Sequence, residues 1–198
     1  MSSAHQRITF VHVNDQHASF APPQPAGCSP WARQRGLFEV TRAVNPYTLF
    51  TNGGDDHEKG TVAEHMTDSD SIVADAVRAM RFDARAVGNH DFCHSLDGVV
   101  GFTQDSDSTM VLCSNIAPAA ATVRTGSRWG AVRFGVRLVG QLRVGFFSLC
   151  SRPWDEMQMQ PEGLNFYPDS LNCNWDFSKS ARETNLKRAL IGTILSVN

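Results

Sequence analysis

Three clusters in this chain carry side chains that could do chemistry together. They are Asn14-Asp15-Gln16-His17, Gly53-Gly54-Asp55 and Gly88-Asn89-His90-Asp91. Each follows a short apolar stretch, at residues 8–13, 47–51 and 84–87. Carboxylate, imidazole and amide oxygen gathered at strand ends are what divalent metal ions need, and that ligand mixture suits Zn, Mn, Fe or Co better than an all-oxygen Mg site. Asp15 and His17 are two apart, so on an extended chain both point to one side and reach one ion. Asp55 follows two glycines that allow a sharp turn, and its two oxygens can bridge two cations. Asn89 offers a carbonyl oxygen, with the His90 imidazole beside it. Asp, Asn and Gly are also ordinary turn formers. Three such clusters in order, each behind a strand, favour a metal site over three turns, since histidine adds little to a turn.

Clusters of this kind need a sheet whose strand ends converge. Residues 8–13 are β-branched and aromatic and read as a buried strand. Four prolines between 21 and 30 mark a loop. Residues 31–44 form an amphipathic helix with Trp31, Leu37, Val40 and Val44 as its apolar face, ended by Asn45-Pro46. Residues 47–51 are a second strand. A helix over 71–81, capped by Ser69 or Asp70, presents Ile72, Val73, Ala76, Val77 and Met80. Residues 84–87 form a third strand, 96–103 a helix and 110–114 a fourth strand. Such alternation predicts an α/β layered fold with parallel pairing, and open α/β sheets place their ligand sites at the carboxyl ends of the strands.

Beyond residue 116 the texture changes. Residues 117–127 read as a surface loop, and 132–139 with 142–149 as a hairpin around Gly140-Gln141. Residues 151–177 form a long irregular segment, 178–190 a helix and 191–197 the start of a further strand. The whole of 1–198 reads as one domain, its motifs within 8–150. Arg124, Arg128, Arg133, Arg137 and Arg143 read as a solvated edge that discourages further strand pairing. Trp154, Phe166, Tyr167 and Trp175 read as core filling under the long segment.

Composition narrows the partners. The 198 residues carry a formal net charge of −2, which argues against nonspecific nucleic-acid binding. No apolar run is long enough to span a bilayer. Five cysteines, an odd number with no C-x-x-C spacing, read as free thiols. With no leader in the given chain, these features favour the cytoplasm.

The motifs carry a family resemblance. Residues 8–17, Asn52-Gly53-Gly54-Asp55 with Gly60, and Gly88-Asn89-His90-Asp91-Phe92 resemble three motifs of 5′-nucleotidases in the calcineurin-like metallophosphoesterase superfamily. Residues 111–116 and 142–149 are similar to later strands of that domain. The resemblance covers most of 8–150 and implies a layered αββα sandwich that hydrolyses a phosphomonoester, a nucleotide above all, at two divalent metal ions. It implies Asp15 and His17 as ligands of one ion, Asp55 as the bridge and Asn89 as a ligand of the second. His90 would stabilise charge on the phosphate.

This sequence departs from the family in two ways. Cys93 stands where the family has an aspartate that orients the catalytic histidine, with Asp91 expected to point elsewhere on an extended chain. No histidine follows His94, whereas the family draws further ligands from Gly-His and Gly-His-x-His steps. The second metal position is therefore expected to be incomplete. The alternative to an enzyme is a truncated or degenerate, inactive binding module or a gene-model fragment, with self-association as its consequence. His57, His65 and His94 are candidate replacement ligands, although surface or capping roles suit them better. His12 reads as a packed strand histidine.

Overall fold

The computed structural model describes residues 6–19, 27–58, 69–92, 96–104, 108–118, 129–150, 164–166 and 189–195. Its centre is a parallel sheet in the order β1 (Thr9–Val13), β2 (Thr48–Asn52), β3 (Ala84–Ala86) and β4 (Met110–Leu112). Register runs Thr9 to Thr48, Thr51 to Ala84 and Ala84 to Met110. Strand β2 is buried at every position and β1 is half-exposed in alternation, as expected of an inner strand and an edge strand.

Successive β2 side chains serve opposite faces. Phe50 packs with Trp31, Phe38, Val73, Val77, Met80, Phe82 and Phe102, contributed largely by the helices. Leu49 packs with Ala84, Ala86, Leu112, Val139, Val144 and Phe146. The second group joins the central sheet to β6 (Gly135–Val139) and β7 (Leu142–Leu149), an antiparallel hairpin with Gly140 at φ +60° in its turn. Helices thus cover one face of the sheet and a second sheet covers the other, which bears out the α/β layered reading.

Helix α1 (Pro30–Val44) starts at Ser29, whose Oγ accepts from Ala32 N at 3.2 Å, with proline in the first turn. Its apolar face differs from the expectation. Trp31 and Phe38 are buried, whereas Leu37, Val40 and Val44 are exposed. The inward face also carries polar groups with dedicated partners: Arg35 Nη1 donates to Met80 O at 2.8 Å and Arg42 Nη2 to Asp83 Oδ2 at 2.7 Å. Hydrophobicity alone therefore pointed to the wrong side. Helix α2 (Ser69–Met80) begins at the residues expected to cap it and buries Val73, Val77 and Met80, while Ile72 faces out. Helix α3 spans Leu96–Gln104.

Further expectations need correction. Residues 117 and 118, expected in a loop, belong to β5 (Ile116–Pro118), and the long segment 151–177 contributes β8 (Leu164–Phe166), antiparallel to it. Residues 189 and 190, expected in a helix, open β9 (Ala189–Leu195). Strand β9 pairs in parallel with β7, Arg143 opposite Ala189, so Arg143 does not close that edge; Arg124 and Arg128 lie outside the described residues. Arg137 is no solvated charge: its Nη2 donates to Asp83 O at 2.8 Å. Val132 bridges Leu112 of β4 instead of extending the hairpin. Residues 178–188 and the aromatics Trp154, Tyr167 and Trp175 lie outside the described residues.

Candidate metal centre

Because β1, β2 and β3 run parallel, the loops after them leave the same edge of the sheet, and these loops carry the three clusters. Backbone pairing continues past the strands. Asp15 N donates to Gly54 O at 3.0 Å, His17 N to Asp55 O at 3.0 Å and Ala18 N to Asp56 O at 2.7 Å. Asp15, His17 and Asp55 lie in the left-handed region, at φ 53°, 49° and 58°. Such residues cost about 1–3 kcal/mol each and persist where the surroundings over-determine them. The expectation that Asp15 and His17 meet on an extended chain is thus corrected. They meet because left-handed turns, locked by the neighbouring loop, bring both side chains to one side.

Two glycines allow the second and third loops to touch. A Cβ on Gly54, at φ +96°, would stand 2.6 Å from Gly88 N. A Cβ on Gly88 would stand 2.1 Å from Asp55 Oδ1. Nothing larger than hydrogen fits either position, and the Asp55 carboxylate lies against the Gly88 backbone as a result.

Asp15, His17 and Asp55 each offer a ligand atom, all within 4.8 Å of one another. His17 Nε2 is buried without a hydrogen-bond partner and stands 3.5 Å from Asp15 Oδ1. A buried lone pair beside two carboxylates is a poor arrangement without a cation and a good one with it, so the donor set fits a divalent metal. His90 N donates to Asp55 Oδ1 at 2.8 Å, and the His17 and His90 rings have centroids 4.7 Å apart. Asn89, next to His90 in the chain, is fully buried. The structure thus gathers Asp15, His17, Asp55 and His90, with Asn89 adjoining.

Sequence reasoning missed Glu58. Its Oε2 is 2.5 Å from His17 Nδ1 and 3.3 Å from His90 Nδ1. These three residues form a second group of ligand atoms within 4.8 Å of one another. The available signal was position, since Glu58 lies three residues after Asp55 on the same loop.

Beneath this group lies a buried charged layer. Asp91 sits in a 3-10 turn (His90–Phe92), not on an extended chain, and its carboxylate points inward. Its Oδ2 accepts from Gly88 N at 2.8 Å, and its Oδ1 from Asp56 N at 3.0 Å, with His57 Nδ1 also at 3.0 Å. His57 is buried in that contact and is neither a surface group nor a cap. Asn52 Nδ2 donates to Asp56 Oδ1 at 2.8 Å. The Arg85 guanidinium lies 3.7 Å over the Phe102 ring. Burial alone would raise the Asp91 pKa, but the His57 hydrogen bond and nearby positive charge hold it below the usual carboxylate range. Asp56 is pushed up to about 7 by burial, with the Asp91 charge adding to it.

His12 sits on the exposed face of β1 and reaches Thr51 Oγ1 at 2.9 Å across the strands, instead of packing inside. Cys113 and Cys150 are buried free thiols and Cys28 an exposed one. His65, Cys93, His94 and Cys173 lie outside the described residues.

This fold and this strand-end cluster define the class: a layered α/β domain of calcineurin-like phosphoesterase architecture. A solved 5′-nucleotidase precursor from Thermus thermophilus superposes with a TM-score of 0.76 over 96% of this chain and 37% of its own, at 20% identity. A calcineurin-like phosphoesterase from Bacillus subtilis gives 0.67 over 96% of this chain and 62% of its own, at 16% identity. Among curated proteins, the chain is 24% identical over 185 residues to an apyrase of Tabanus yao, 89% of this chain and 32% of that one. It is 24% identical over 153 residues to the venom 5′-nucleotidase of Crotalus adamanteus, 73% of this chain and 26% of that one. No family profile matches the chain. In sequence and fold it is similar to 5′-nucleotidases of the metallophosphoesterase superfamily, and it spans about a third or less of the curated relatives' length. Among the described residues, no helix is long and apolar enough to cross a membrane.

Proposed function

We propose that this chain carries a metal-dependent phosphomonoesterase site whose substrate is a nucleotide. The carrying observation is the convergence of Asp15, His17 and Asp55 ligand atoms within 4.8 Å, with His90 tied by its backbone to Asp55. Asp15, His17 and Asp55 would hold one divalent ion, and Asp55 with Asn89 would contribute to a second. Bound there, Zn, Mn, Fe or Co would supply a water acidic enough to attack phosphorus and would polarise the phosphate oxygens. The chain's own contribution is placement. Asp55 Oδ1 holds the His90 backbone, so the imidazole stands at the rim of the ligand group and can offset negative charge developing on the phosphate. Names of the relatives support the nucleotide as substrate.

A second reading is a metal-binding module without turnover. It is favoured by the ligand groups among the described residues, whose imidazoles are those of His17 and His90.

One experiment separates the readings. Metal-stripped chain is titrated calorimetrically with Mn²⁺, Co²⁺ and Zn²⁺, then assayed for phosphate release from AMP and p-nitrophenyl phosphate. Metal binding with phosphate release, lost in His90→Ala while metal is still bound, is the expected result. Binding without release selects the module. No binding overturns both.

A further inference from the structure

Glu58 touches both histidines of the site through one oxygen, and an imidazole's chemistry depends on which nitrogen carries its proton. At 2.5 Å from a carboxylate oxygen, His17 Nδ1 must carry a hydrogen, because two lone pairs at that distance repel. The lone pair of a neutral His17 ring is then on Nε2, the buried nitrogen without a hydrogen-bond partner that faces Asp15. His90 Nδ1 lies 3.3 Å from the same Glu58 oxygen, outside hydrogen-bond geometry, where the carboxylate charge favours a proton on that nitrogen. A proton on that nitrogen leaves His90 Nε2 as the atom turned away from Glu58.

We propose that Glu58 is a shared positioning residue that holds His17 and His90 in the same Nδ1–H tautomer, so that His17 presents its Nε2 lone pair to the metal-ligand group. A carboxylate behind a ligating histidine fixes ring orientation and raises ligand basicity, and its loss commonly lowers metal affinity by about 10- to 100-fold. Here one carboxylate does this for two rings. It lies on the loop that also carries Asp55, so movement of that loop would shift the shared carboxylate ligand and both imidazoles together. The two rings and Glu58 are each partly exposed, with side-chain accessibilities of 32%, 18% and 30%, so removing the carboxylate leaves no buried void.

The tautomer claim stands apart from the phosphoesterase reading and is tested without metal. Full-length chain labelled with ¹⁵N-histidine is examined at pH 8.5 by long-range ¹H–¹⁵N correlation. His17 and His90 should both show a protonated Nδ1 and a bare Nε2. In Glu58→Ala both rings should relax toward the Nε2–H form that prevails for imidazole in water, with amide dispersion unchanged. In Glu58→Gln the amide oxygen can still accept from His17 Nδ1, while the charge that biases His90 is gone, so His90 alone should relax. Metal affinity by calorimetry should fall about 10- to 100-fold in Glu58→Ala. An Nε2–H His17 in the parent chain, or tautomers unchanged in Glu58→Ala, overturns the proposal. Tautomers as expected in a chain that binds no metal would leave the role of Glu58 standing and remove the phosphoesterase reading.

Discussion

The end of the parallel sheet carries two layers of polar groups that behave in opposite ways. The upper layer is Asp15, His17, Glu58 and the His90 ring, all partly exposed and holding one another at ligand distances. The lower layer is Asn52, Asp56, His57, Arg85 and Asp91, all buried and tied by hydrogen bonds and charge. Asp55 spans them: it is buried, yet it offers a ligand atom to the upper group and accepts from His90 N. Neighbours in sequence fall into different layers, as with His57 and Glu58 or His90 and Asp91. The difference teaches that residue type does not assign a role at such a site. The lower-layer carboxylates, Asp56 and Asp91, spend their lone pairs on the protein. The upper layer keeps donors that a ligand could use.

Mutation of the lower layer should hurt stability most. Asp91 accepts from Gly88 N and Asp56 N and meets His57 Nδ1, so Asp91→Ala leaves these donors without their acceptor and removes one of the two carboxylate charges near Arg85. Breaking a buried charged pair from one side typically costs about 3–5 kcal/mol. Urea unfolding of metal-free chain should show a loss of that order, with Asp91→Asn milder. A loss under about 1 kcal/mol, within the range of ordinary surface changes, would dissolve the distinction between the layers.

The upper layer should do the reverse. Asp15 is partly exposed and sits among like charges, so Asp15→Ala should change metal-free stability little. It should remove most of the stabilisation that metal provides, which for the parent chain is about 2.7 kcal/mol at a hundredfold excess over Kd. Thermal unfolding with and without Mn²⁺ or Zn²⁺ reads both numbers. If Asp15→Ala gains as much from metal as the parent does, Asp15 is not a ligand and the upper group must be redrawn around Glu58.

The sequence made the sheet legible and left the layering hidden. Strands β1 to β4 stood out because short β-branched runs end in Gly, Asn and Asp, and the site followed from parallel strands ending on one edge. Three things could not be read. The inward face of α1 uses Arg35 and Arg42 against carbonyl and carboxylate partners far away in sequence, so hydrophobicity selected the exposed face. Asp15 and His17 converge through left-handed turns fixed by the adjoining loop, a tertiary effect. Glu58 was passed over because its partners lie 41 and 32 residues away in the chain, on two other loops, and spacing within one loop carries no sign of them.

The smallest expected effect is the most discriminating, because it concerns a residue next to the bridging carboxylate. Asp56 has its pKa pushed up to about 7 by burial and by the Asp91 charge. A carboxyl whose folded pKa exceeds its unfolded value takes up a proton on folding. Its contribution is therefore fully present below about pH 4 and is lost as pH rises toward 7. Asp91 has the opposite sign, since its pKa is held down, and its contribution is lost as pH falls below the ordinary carboxylate range. In metal-free chain the Asp56 contribution should tilt stability downward between pH 5 and pH 7, by at most about 1.4 kcal/mol per pH unit. Asp56→Asn keeps an oxygen for the Asn52 amide and removes the titrating charge, so the tilt should flatten and the variant should gain on the parent as pH rises. Urea midpoints at pH 5, 6 and 7 measure this. An equal slope in parent and variant would mean that Asp56 is ionised across the range and belongs functionally with Asp55 in the upper layer.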